Sequence, residues 1–425
     1  MRASKEADIV PDRVIFHSDC NSFFCSVELL AHPELRDVPT AVCGDPEGRH
    51  GIILAKNEPA KRFGIQTAET IWQARKKCPH LHLLPPHREK YRHYYQVING
   101  IYGRYTDLVE PFSIDESWMD VTGSWKLFEK EPRALADRIR REVRQETGLT
   151  ISVGVSWNKV FAKLGSDYKK PDATTEFSRD NYRQLVWALP VTSMLYVGRS
   201  AADTLKKAGI ATIGQLALAE PDLLHRLLGK FGPVLGTYAR GEDESRVHRF
   251  DEKEAPKSVG RGITFPQDLT RESDLRAAIT ALSDDVAARV RHSGMWANGV
   301  QLTVKNPALH VIQRQKQLGF STRVSEDLAV ACHRLLQENW QEGKPVRMLT
   351  VTAISLSEEP VSVQQSFFEE TPHMDEKKAK LETSVDAIRR RFGNGAIARA
   401  STMTPVIGLR SLYASKDLPD EKENK

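Results

Sequence analysis

Hydrophobic and polar positions divide the first part of the chain into strands and helices. Residues 14–24, VIFHSDCNSFF, begin as an apolar strand and run directly into an aspartate and an aromatic pair. Residues 134–148, ALADRIRREVRQETG, predict a helix, because a leucine, an isoleucine and a valine recur at four-residue spacing on one face. Residues 150–171 begin as a strand and continue as a lysine-bearing helix. The pattern over residues 13–171 therefore predicts an α/β domain.

The pattern changes at about residue 178, where short helices punctuated by glycine replace the longer elements. Residues 241–260 are charged and poor in apolar residues, which is typical of a linker. Beyond them, KSVGRGITF, NGVQLTVKN and MLTVTAISLSE alternate like strands, while SDLRAAITALSDDVAARVRHSG and VSEDLAVACHRLLQENW predict helices. We expect a small α+β domain over residues 256–360, followed by a final segment with one more helix, KKAKLETSVDAIRRRFG.

The composition of the 425-residue chain is that of an ordinary globular protein with room for about two to four domains. No apolar run approaches the roughly 18 residues of a membrane span, and the start, MRASKEADIVPDR, lacks the apolar stretch of a signal peptide. Five cysteines without a CxxC pair favour a reduced cytoplasm. The formal charge of +5 is mildly basic, so a polyanionic partner requires the basic residues to be gathered on one surface.

The stretch FSIDESWMDVTG, residues 112–123, places two adjacent carboxylates, Asp115 and Glu116, inside an apolar strand pattern. Two such charges near a half-buried sheet are costly unless something positive accompanies them. Because adjacent strand residues point to opposite faces, the two carboxylates converge only if the strand bends. A third carboxylate, Asp19, ends the first strand, and the three together could hold two hard divalent cations such as magnesium. The alternative is that each is a surface or ion-paired residue, and the spacing alone leaves both interpretations open.

Three motifs in chain order, DCNSFF, SIDESWMDVTG and SVGVSWNKVFAKLGSDYKKPDA, resemble those of the Y-family DNA polymerases, the translesion enzymes of the DNA polymerase IV type. The resemblance extends to VGRSAADTLKKAGIATIGQLA and KSVGRGITF and so covers most of the chain. It implies a multidomain right-hand polymerase of α/β and α+β architecture. The implied domains are the palm (13–23 and 87–177), the fingers (24–86), a helical thumb with helix-hairpin-helix turns (178–247), a linker (248–255), the little finger (256–360) and a C-terminal segment (361–425).

The resemblance also implies the roles of individual residues. It gives the ligands of two magnesium ions as Asp19, Asp115, Glu116 and the backbone carbonyl of Cys20. Phe24 falls on the aromatic gate that excludes a ribose 2′-hydroxyl by filling its space. The backbone N–H groups of Phe23 and Phe24 and the ammonium group of Lys170 would hold the triphosphate of the incoming dNTP. From the residues alone, Phe24 would be an ordinary core aromatic, and Lys159 and Lys163 fit a solvated helix face as well as a functional role.

One part of the chain departs from the family pattern. Where many members carry a tyrosine and an arginine that grip the triphosphate, LAKNEPAKRFGIQTAE has Glu58 and Lys61. Lysine keeps the charge of arginine but loses its bidentate fork, and Glu58 would repel a phosphate. We therefore expect Lys61 to bind the triphosphate in this region, with Lys56 as an additional contact.

The resemblance further predicts how the chain holds DNA. The glycine turns around Gly198 and Gly209 resemble helix-hairpin-helix units, in which backbone N–H groups bind a phosphate without reading the base sequence. From the residues alone, a helical bundle with glycine C-caps is an equal alternative. The candidate phosphate contacts are basic residues of the thumb and the little finger: Arg199, Lys206, Lys207, Lys257, Arg261, Lys305, Arg314, Lys316, Arg323 and Arg347. Several such contacts predict binding that weakens steeply with salt.

A pentapeptide beyond the little finger, QQSFF, resembles the bacterial sliding-clamp-binding motif, with Gln364, Phe367 and Phe368 as its anchors. Two adjacent exposed phenylalanines require a pocket on a partner or on this chain, so self-packing is the alternative. The implied partners are primer-template DNA, dNTPs and a sliding clamp, with no membrane, and we expect the chain to act as a monomer.

The implied function is DNA-templated DNA synthesis by nucleotidyl transfer from a dNTP to a primer 3′-hydroxyl, assisted by two magnesium ions. We expect low fidelity, because the fingers are short and nothing in the sequence resembles a proofreading nuclease. The alternative is a catalytically impaired, polymerase-like accessory protein that binds DNA and the clamp; the three carboxylates argue against it and Glu58 supports it. An RNA-synthesising transferase or a cyclase with a similar palm is disfavoured by Phe24 and by the DNA-binding region downstream.

Overall fold

The computed structural model describes residues 12–46, 51–252, 255–361 and 376–402. The chain divides into two compact units, Met1–Lys253 and Glu254–Lys425, each with its own hydrophobic core. The division falls within the predicted linker, while the individual domain bounds stay predictions. Within the described ranges, none of the helices combines the length and the apolar character that a membrane crossing requires. All five cysteines are buried, unpaired thiols.

The first unit combines a central sheet, a smaller sheet and a group of short helices. In chain order its elements are β1 (Ile15–Cys20), α1 (Phe23–Leu29), β2 (Thr40–Cys43), β3 (Ile53–Lys56), α2 (Glu58–Arg62), α3 (Ile71–Lys77), β4 (His82–Leu84), α4 (Arg88–Tyr102), β5 (Val109–Pro111), β6 (Glu116–Asp120), α5 (Pro132–Thr147), β7 (Ile151–Ser156), α6 (Lys159–Tyr168), β8 (Thr174–Glu176), α7 (Tyr182–Leu185), α8 (Arg199–Lys207), α9 (Ile213–Leu218), α10 (Pro221–Leu228) and α11 (Gly232–Ala239). The predicted first strand, the arginine-rich helix and the strand–helix pair that follows it are confirmed as β1, α5, β7 and α6.

The central sheet has the strand order β5-β6-β1-β7-β8. β1 pairs antiparallel with β6 on one side and with β7 on the other, so every residue of β1 is buried. Side chains alternate between the two faces along each strand. The face that carries Phe16 and Met119 packs against α4 and α5, while the face that carries Ile15 and Trp118 packs against α6. Alternation from Ile15 therefore places Asp19 on the face covered by α6.

Helix α6 lies close to β7 because two glycines face each other. A Cβ atom on Gly154 would collide with the carbonyl oxygen of Ala162, and one on Gly165 would lie 2.9 Å from the Cα atom of Gly154. The side chain of Asn158 caps the N-terminus of α6 by accepting a backbone hydrogen bond. This close contact fixes the position of a helix whose side chains reach the end of β1.

The rest of the first unit forms two smaller cores. Strands β3, β2 and β4 make a sheet that packs with α2 and α3 in the segment predicted as fingers. Helices α8 to α11 pack around a separate core in the segment predicted as thumb. The turn between α8 and α9 contains Gly209 at a φ of +82°, a conformation that favours glycine, whereas Gly198 has ordinary extended backbone and is the N-cap of α8.

The second unit is a four-stranded antiparallel sheet with helices on one face. Its elements are β9 (Ser258–Leu269), α12 (Glu272–His292), β10 (Ala297–Lys305), β11 (Val311–Thr322), α13 (Ser325–Asn339), β12 (Val346–Ile354) and α14 (Glu376–Phe392). The strand order is β11-β10-β12-β9, and α12 and α13 pack against the buried face of the sheet. The predicted strands and helices are confirmed, and β11 is an additional strand that the apolar pattern did not predict.

Helix α14 is joined to the helical layer of the second unit by buried ion pairs. Arg389 donates to Asp284 at 2.7 Å, and both side chains are less than one-tenth exposed. Arg291 of α12 donates to Asp386 at 2.6 Å and also pairs with Glu382. Because these charges are shielded from water, each depends on its partner for compensation.

Candidate active site

Asp19 and Glu116 are neighbours across the central sheet. They are register partners in β1 and β6, so their side chains lie on the same face, the one covered by α6. Asp115 lies just before β6, and its carbonyl oxygen accepts a hydrogen bond of 2.9 Å from the N–H of Cys20. Burial raises the pKa of Asp115, and the nearby negative charges of Asp19 and Glu116 add to the rise. The structure thus brings the three predicted carboxylates to one end of the sheet.

Two lysines lie among these carboxylates. The Nζ atom of Lys163 is 3.3 Å from Asp19 Oδ2 and 3.0 Å from Glu116 Oε1. Lys170, just beyond α6, donates to the same Asp19 oxygen at 2.7 Å. Burial alone would lower the pKa of the Lys163 ammonium, but the neighbouring carboxylates outweigh burial and hold that pKa above its ordinary value. Lys163 is therefore an ion-paired residue of the candidate site, and the interpretation as a solvated helix residue is wrong.

Asp167 is a further carboxylate in contact with both lysines. Its carboxylate lies 3.2 Å from Lys163 Nζ and 2.7 Å from Lys170 Nζ. Its side chain is 46% exposed, whereas that of Asp19 is 8% exposed. The two lysines therefore connect a buried carboxylate of the sheet to a half-exposed carboxylate of α6.

His17 is a further buried neighbour of these carboxylates and was missed in the sequence. Its side chain is fully buried two residues before Asp19, and its Nδ1 atom lies 2.8 Å from the hydroxyl of Ser166. Its Nε2 atom lies 3.5 Å from Glu116 Oε2 and has no hydrogen-bond partner. Burial lowers the pKa of His17, so the ring is neutral at pH 7. The signal available in the sequence was the two-residue period, which places His17 and Asp19 on one face.

The chemistry of this donor set fits a hard divalent cation, because carboxylate oxygens are the ligands that magnesium and calcium prefer. In the described parts of the chain, no three histidine, cysteine or acidic side chains surround a common point as they would around a bound metal. Lysine ammonium groups compensate Asp19 and Glu116 instead. The oxygens that would bind a cation are thus present but engaged with lysine.

The aromatic pair after β1 has two different environments. Phe23 is buried in the core between the sheet and α4. Phe24 is half-buried, and its ring stacks on that of Tyr91 with the centroids 4.1 Å apart. Both residues lie in the first turn of α1, where backbone N–H groups have no acceptor within the helix. A ring at position 24 with one accessible side is compatible with a gate, whereas Phe23 is a core residue.

The two residues that depart from the family pattern interact with each other. Lys61 donates to Glu58 at 2.5 Å across one turn of α2, and both side chains are exposed. Lys56 donates instead to the hydroxyl of Thr67 at 2.8 Å. The charge of Lys61 is therefore compensated locally, so an anion that binds there has to compete with Glu58.

The predicted DNA contacts of the first unit lie at the start and the end of one helix. Gly198 and Arg199 form the exposed N-terminal end of α8, and Lys206 lies exposed in its last turn. Gly209 follows in the exposed turn to α9. Their exposure is compatible with phosphate contacts, and the helix-hairpin-helix role stays a prediction.

The predicted DNA contacts of β10 and β11 do not share one face. Lys305 follows the buried Val304 and lies on the face of the sheet away from the helices. Arg314 pairs across the sheet with Leu302, which is buried beneath the helices, and its guanidinium donates to Asn339 of α13 at 3.0 Å. The sequence predicted a single basic platform, whereas the structure distributes these side chains over both faces.

Three further basic candidates of the second unit differ in their surroundings. Lys257 is exposed just before β9. Arg261 points toward α12, where its guanidinium lies 4.0 Å from Asp285. Arg323 donates to the carbonyl oxygen of Met295 at 2.9 Å, so its guanidinium stabilises the turn before β10. The predicted clamp-binding residues, Gln364, Phe367 and Phe368, lie outside the described residues.

Comparison with known proteins adds independent information. Residues 18–167 match the model of the impB/mucB/samB family, and residues 256–367 match the model of its C-terminal domain. DNA polymerase IV of Acetivibrio thermocellus is 42% identical over 390 residues, which cover 91% of this chain and 96% of that relative. DNA polymerase IV 2 of Bacillus subtilis is 35% identical and covers 93% of this chain and 96% of its own length. A solved Y-family DNA polymerase chimera, Dbh-Dpo4(243-245)-Dbh, is similar in fold, with a TM-score of 0.72, 20% identity, and coverage of 81% of this chain and 99% of that one.

Proposed function

The chain belongs to the Y-family DNA polymerases of the DNA polymerase IV type, DNA-directed DNA polymerases that carry out translesion synthesis, and we propose that Asp19, Asp115 and Glu116 form its active site. Its partners are accordingly primer-template DNA and dNTPs. The observation that carries the proposal is the cross-strand pairing of Asp19 with Glu116, with Asp115 hydrogen-bonded to the residue after Asp19. The impaired accessory protein is not favoured, because relatives that match nearly the whole chain are named polymerases.

In the proposed reaction the primer 3′-hydroxyl attacks the α-phosphorus of the dNTP. A P–O bond forms to the primer, and the bond to the leaving pyrophosphate breaks. Polymerases of this family generally depend on a divalent metal. Two magnesium ions, when bound, supply positive charge that stabilises the attacking and the leaving oxygens. The three carboxylates and the backbone carbonyl of Cys20 are the proposed ligands, and the hardness of these oxygens supports that assignment.

Phe24 is the proposed sugar gate. Its ring would occupy the space that a ribose 2′-hydroxyl requires, so the site would select deoxyribose by exclusion. Its half-buried position at the start of α1 and its stacking on Tyr91 support this role, because a gate has to be both accessible and rigid.

The triphosphate is the proposed ligand of the backbone N–H groups of Phe23 and Phe24 together with Lys170 and Lys61. Lys170 has a flexible stem and would exchange Asp19 for a phosphate oxygen. In the same way, Lys61 would exchange its contact with Glu58 for one with a phosphate oxygen. Both contacts are ion pairs with accessible lysines, so the exchange replaces one anion by another.

The domain assignment is part of the proposal and keeps the predicted bounds. These are palm 13–23 and 87–177, fingers 24–86, thumb 178–247, linker 248–255, little finger 256–360 and C-terminal segment 361–425. In the thumb, the exposed residues Gly198, Arg199 and Lys206 are the proposed phosphate contacts. We also propose that QQSFF binds a sliding clamp and that the chain acts as a monomer. A cytoplasmic location is a further part of the proposal, and the five unpaired cysteines support it.

A primer-extension assay with matched DNA-binding measurements tests the proposal. Asp19→Asn should abolish dNTP addition while its affinity for primer-template DNA, measured by fluorescence anisotropy, stays within about twofold of wild type. Phe24→Ala should add ribonucleotides that wild type rejects. If extension requires magnesium but Asp19→Asn extends primers as fast as wild type, Asp19 does not belong to the active site.

A further inference from the structure

Lys163 stands between two groups of carboxylates. On one side are the buried oxygens of Asp19 and Glu116, at 3.3 and 3.0 Å, which belong to the central sheet. On the other side is Asp167, at 3.2 Å, one turn further along α6 and half-exposed. The Lys163 side chain itself is only 12% exposed. Its ammonium group therefore has two alternative sets of anionic partners within reach of one flexible stem.

We propose that Lys163 is a built-in cation that compensates the carboxylate site in the metal-free protein, and that Asp167 takes up its charge when divalent cations bind. This inference rests on the proposed function of Asp19, Asp115 and Glu116. Lys163 and Asp167 are positioning residues in this scheme, because they act on the ligands and not on the substrate.

The physical argument begins with the cost of uncompensated charge. Asp19 is almost buried, and two carboxylates in that environment without a cation would repel each other and destabilise the folded sheet. Lys163 supplies the missing charge from a helix whose position the Gly154–Gly165 contact fixes. A divalent cation at the same oxygens competes with the ammonium group, since both require the same lone pairs.

Asp167 makes the exchange possible without leaving Lys163 unpaired. Once a divalent cation engages Asp19 and Glu116, Lys163 keeps Asp167 as an anionic partner, because that carboxylate already lies in contact with it. Lys170 also contacts Asp167, at 2.7 Å, so in the absence of a triphosphate the same carboxylate would accept both lysines.

The test measures Mn²⁺ binding to the full chain by electron paramagnetic resonance, with a dideoxy-terminated primer-template and a dNTP so that no reaction occurs. Lys163→Met should bind Mn²⁺ roughly tenfold more tightly than wild type, because the competing charge is gone. Lys163→Arg, which keeps the charge, should stay within about threefold of wild type. Lys159→Met is the matched control: it removes the same charge from the same helix, but Lys159 pairs with Glu110, and it should change the affinity less than about twofold.

A double-mutant cycle isolates the role of Asp167. Asp167→Asn should weaken Mn²⁺ binding in the wild-type background and have a clearly smaller effect in Lys163→Met, because its proposed partner is then absent. A second readout is thermal unfolding in EDTA, where Lys163→Met should melt at a lower temperature than wild type and gain more from added Mn²⁺. This readout also reports whether each variant is folded.

Two results would overturn the inference. Equal Mn²⁺ affinities of Lys163→Met and Lys159→Met would show that only overall charge matters. If the effects of Asp167→Asn and Lys163→Met on Mn²⁺ affinity are additive, Asp167 has no part in the exchange. Asp115→Asn distinguishes these outcomes from failure of the proposed function. If Asp115→Asn weakens Mn²⁺ binding while Lys163→Met leaves it unchanged, the active-site assignment stands and the inference fails. If Asp115→Asn has no effect on Mn²⁺ binding, the active-site assignment itself fails.

Discussion

The ring of Phe24 lies flat against the ring of Tyr91, with the centroids 4.1 Å apart and the planes 8° from parallel. Tyr91 is fully buried in α4, and its hydroxyl donates to Glu28 at 2.6 Å. Glu28 lies in α1, the helix that also carries Phe24. The position of the proposed sugar gate is therefore set by packing between two helices.

Replacing Tyr91 should weaken sugar discrimination without touching Phe24. Tyr91→Leu removes the stacked ring, and a loss of about 0.5–1.5 kcal/mol of aromatic contact predicts a roughly 2- to 10-fold lower preference for dNTP over rNTP. Tyr91→Phe keeps the ring and should keep the preference, although it melts at a lower temperature because Glu28 loses a donor. Single-nucleotide incorporation kinetics measure the preference. Equal discrimination by the leucine and phenylalanine variants would show that stacking does not hold the gate.

Glu28 should make the stability of the first unit depend on pH. Burial alone would raise the pKa of Glu28, but hydrogen bonds from Tyr91, His87 and Lys90 outweigh burial and hold the pKa below its ordinary value. A lowered pKa in the folded state stabilises the protein above the unfolded-state pKa of about 4.3, and that contribution is lost as the pH falls through the folded-state value.

We therefore expect Glu28→Gln to lower the free energy of unfolding by about 1–3 kcal/mol at pH 7, and the difference from wild type to shrink as the pH falls below about 4. Urea unfolding followed by tryptophan fluorescence at several pH values measures it. Glu34→Gln is the control, because Glu34 is exposed and makes one weak contact with His32. A difference that stays constant across the pH range would contradict the assigned ionisation.

A methyl group on Gly154 should displace α6. The Cβ atom would collide with the backbone of Ala162, so we expect Gly154→Ala to destabilise the first unit by about 2–4 kcal/mol and to lower the rate of extension. Gly100→Ala in α4 is the matched control, since its Cβ meets nothing within 4 Å and alanine favours a helix by about 1 kcal/mol. Thermal unfolding and extension assays on both variants check the prediction. Two variants of equal stability would mean that the contact is softer than the structure indicates.

Arg389→Met should destabilise the second unit, because buried Asp284 loses its 2.7 Å contact with Arg389 and keeps the more distant guanidinium of Arg399, at 4.0 Å. Loss of one partner of a buried ion pair costs about 3–5 kcal/mol. Arg390→Met removes the same charge from the neighbouring, exposed position and should cost less than about 1 kcal/mol. Calorimetric unfolding of both variants separates the two cases. A large effect of Arg390→Met equal to that of Arg389→Met would contradict a specific role for the buried pair.

The sequence predicted most elements because their apolar periods are clear, as in β1 and α5. It did not predict β11, an edge strand whose residues 313–317, QRQKQ, are all polar and therefore show no two-residue apolar period. Edge strands are stabilised by backbone pairing and need little apolar surface. A period-based search for strands therefore misses this kind of element.

The residues of the candidate site that lie in recognisable motifs were predicted, and those whose partners depend on packing were missed. Asp19, Asp115 and Glu116 follow from motif order. Lys163 does not, because only the docking of α6 on the sheet decides whether that lysine faces water or Asp19. Arg323 shows the same limit in the second unit: its charge suggested a phosphate contact, whereas its guanidinium donates to the chain's own carbonyl groups. Sequence supplies the charge of a side chain, and the fold decides its partner.

Extension of a primer by Asp115→Ala, compared with wild type and with Asp107→Ala, tests the central assignment most directly. Asp107 is an exposed aspartate of the same unit that pairs with Arg249, so it controls for the loss of a carboxylate. We predict template-directed dNTP addition by wild type and Asp107→Ala, and at least a 1,000-fold slower reaction (on the order of 4 kcal/mol) by Asp115→Ala with unchanged DNA affinity. Extension by Asp115→Ala at the wild-type rate would contradict the assignment of the carboxylate pair to catalysis.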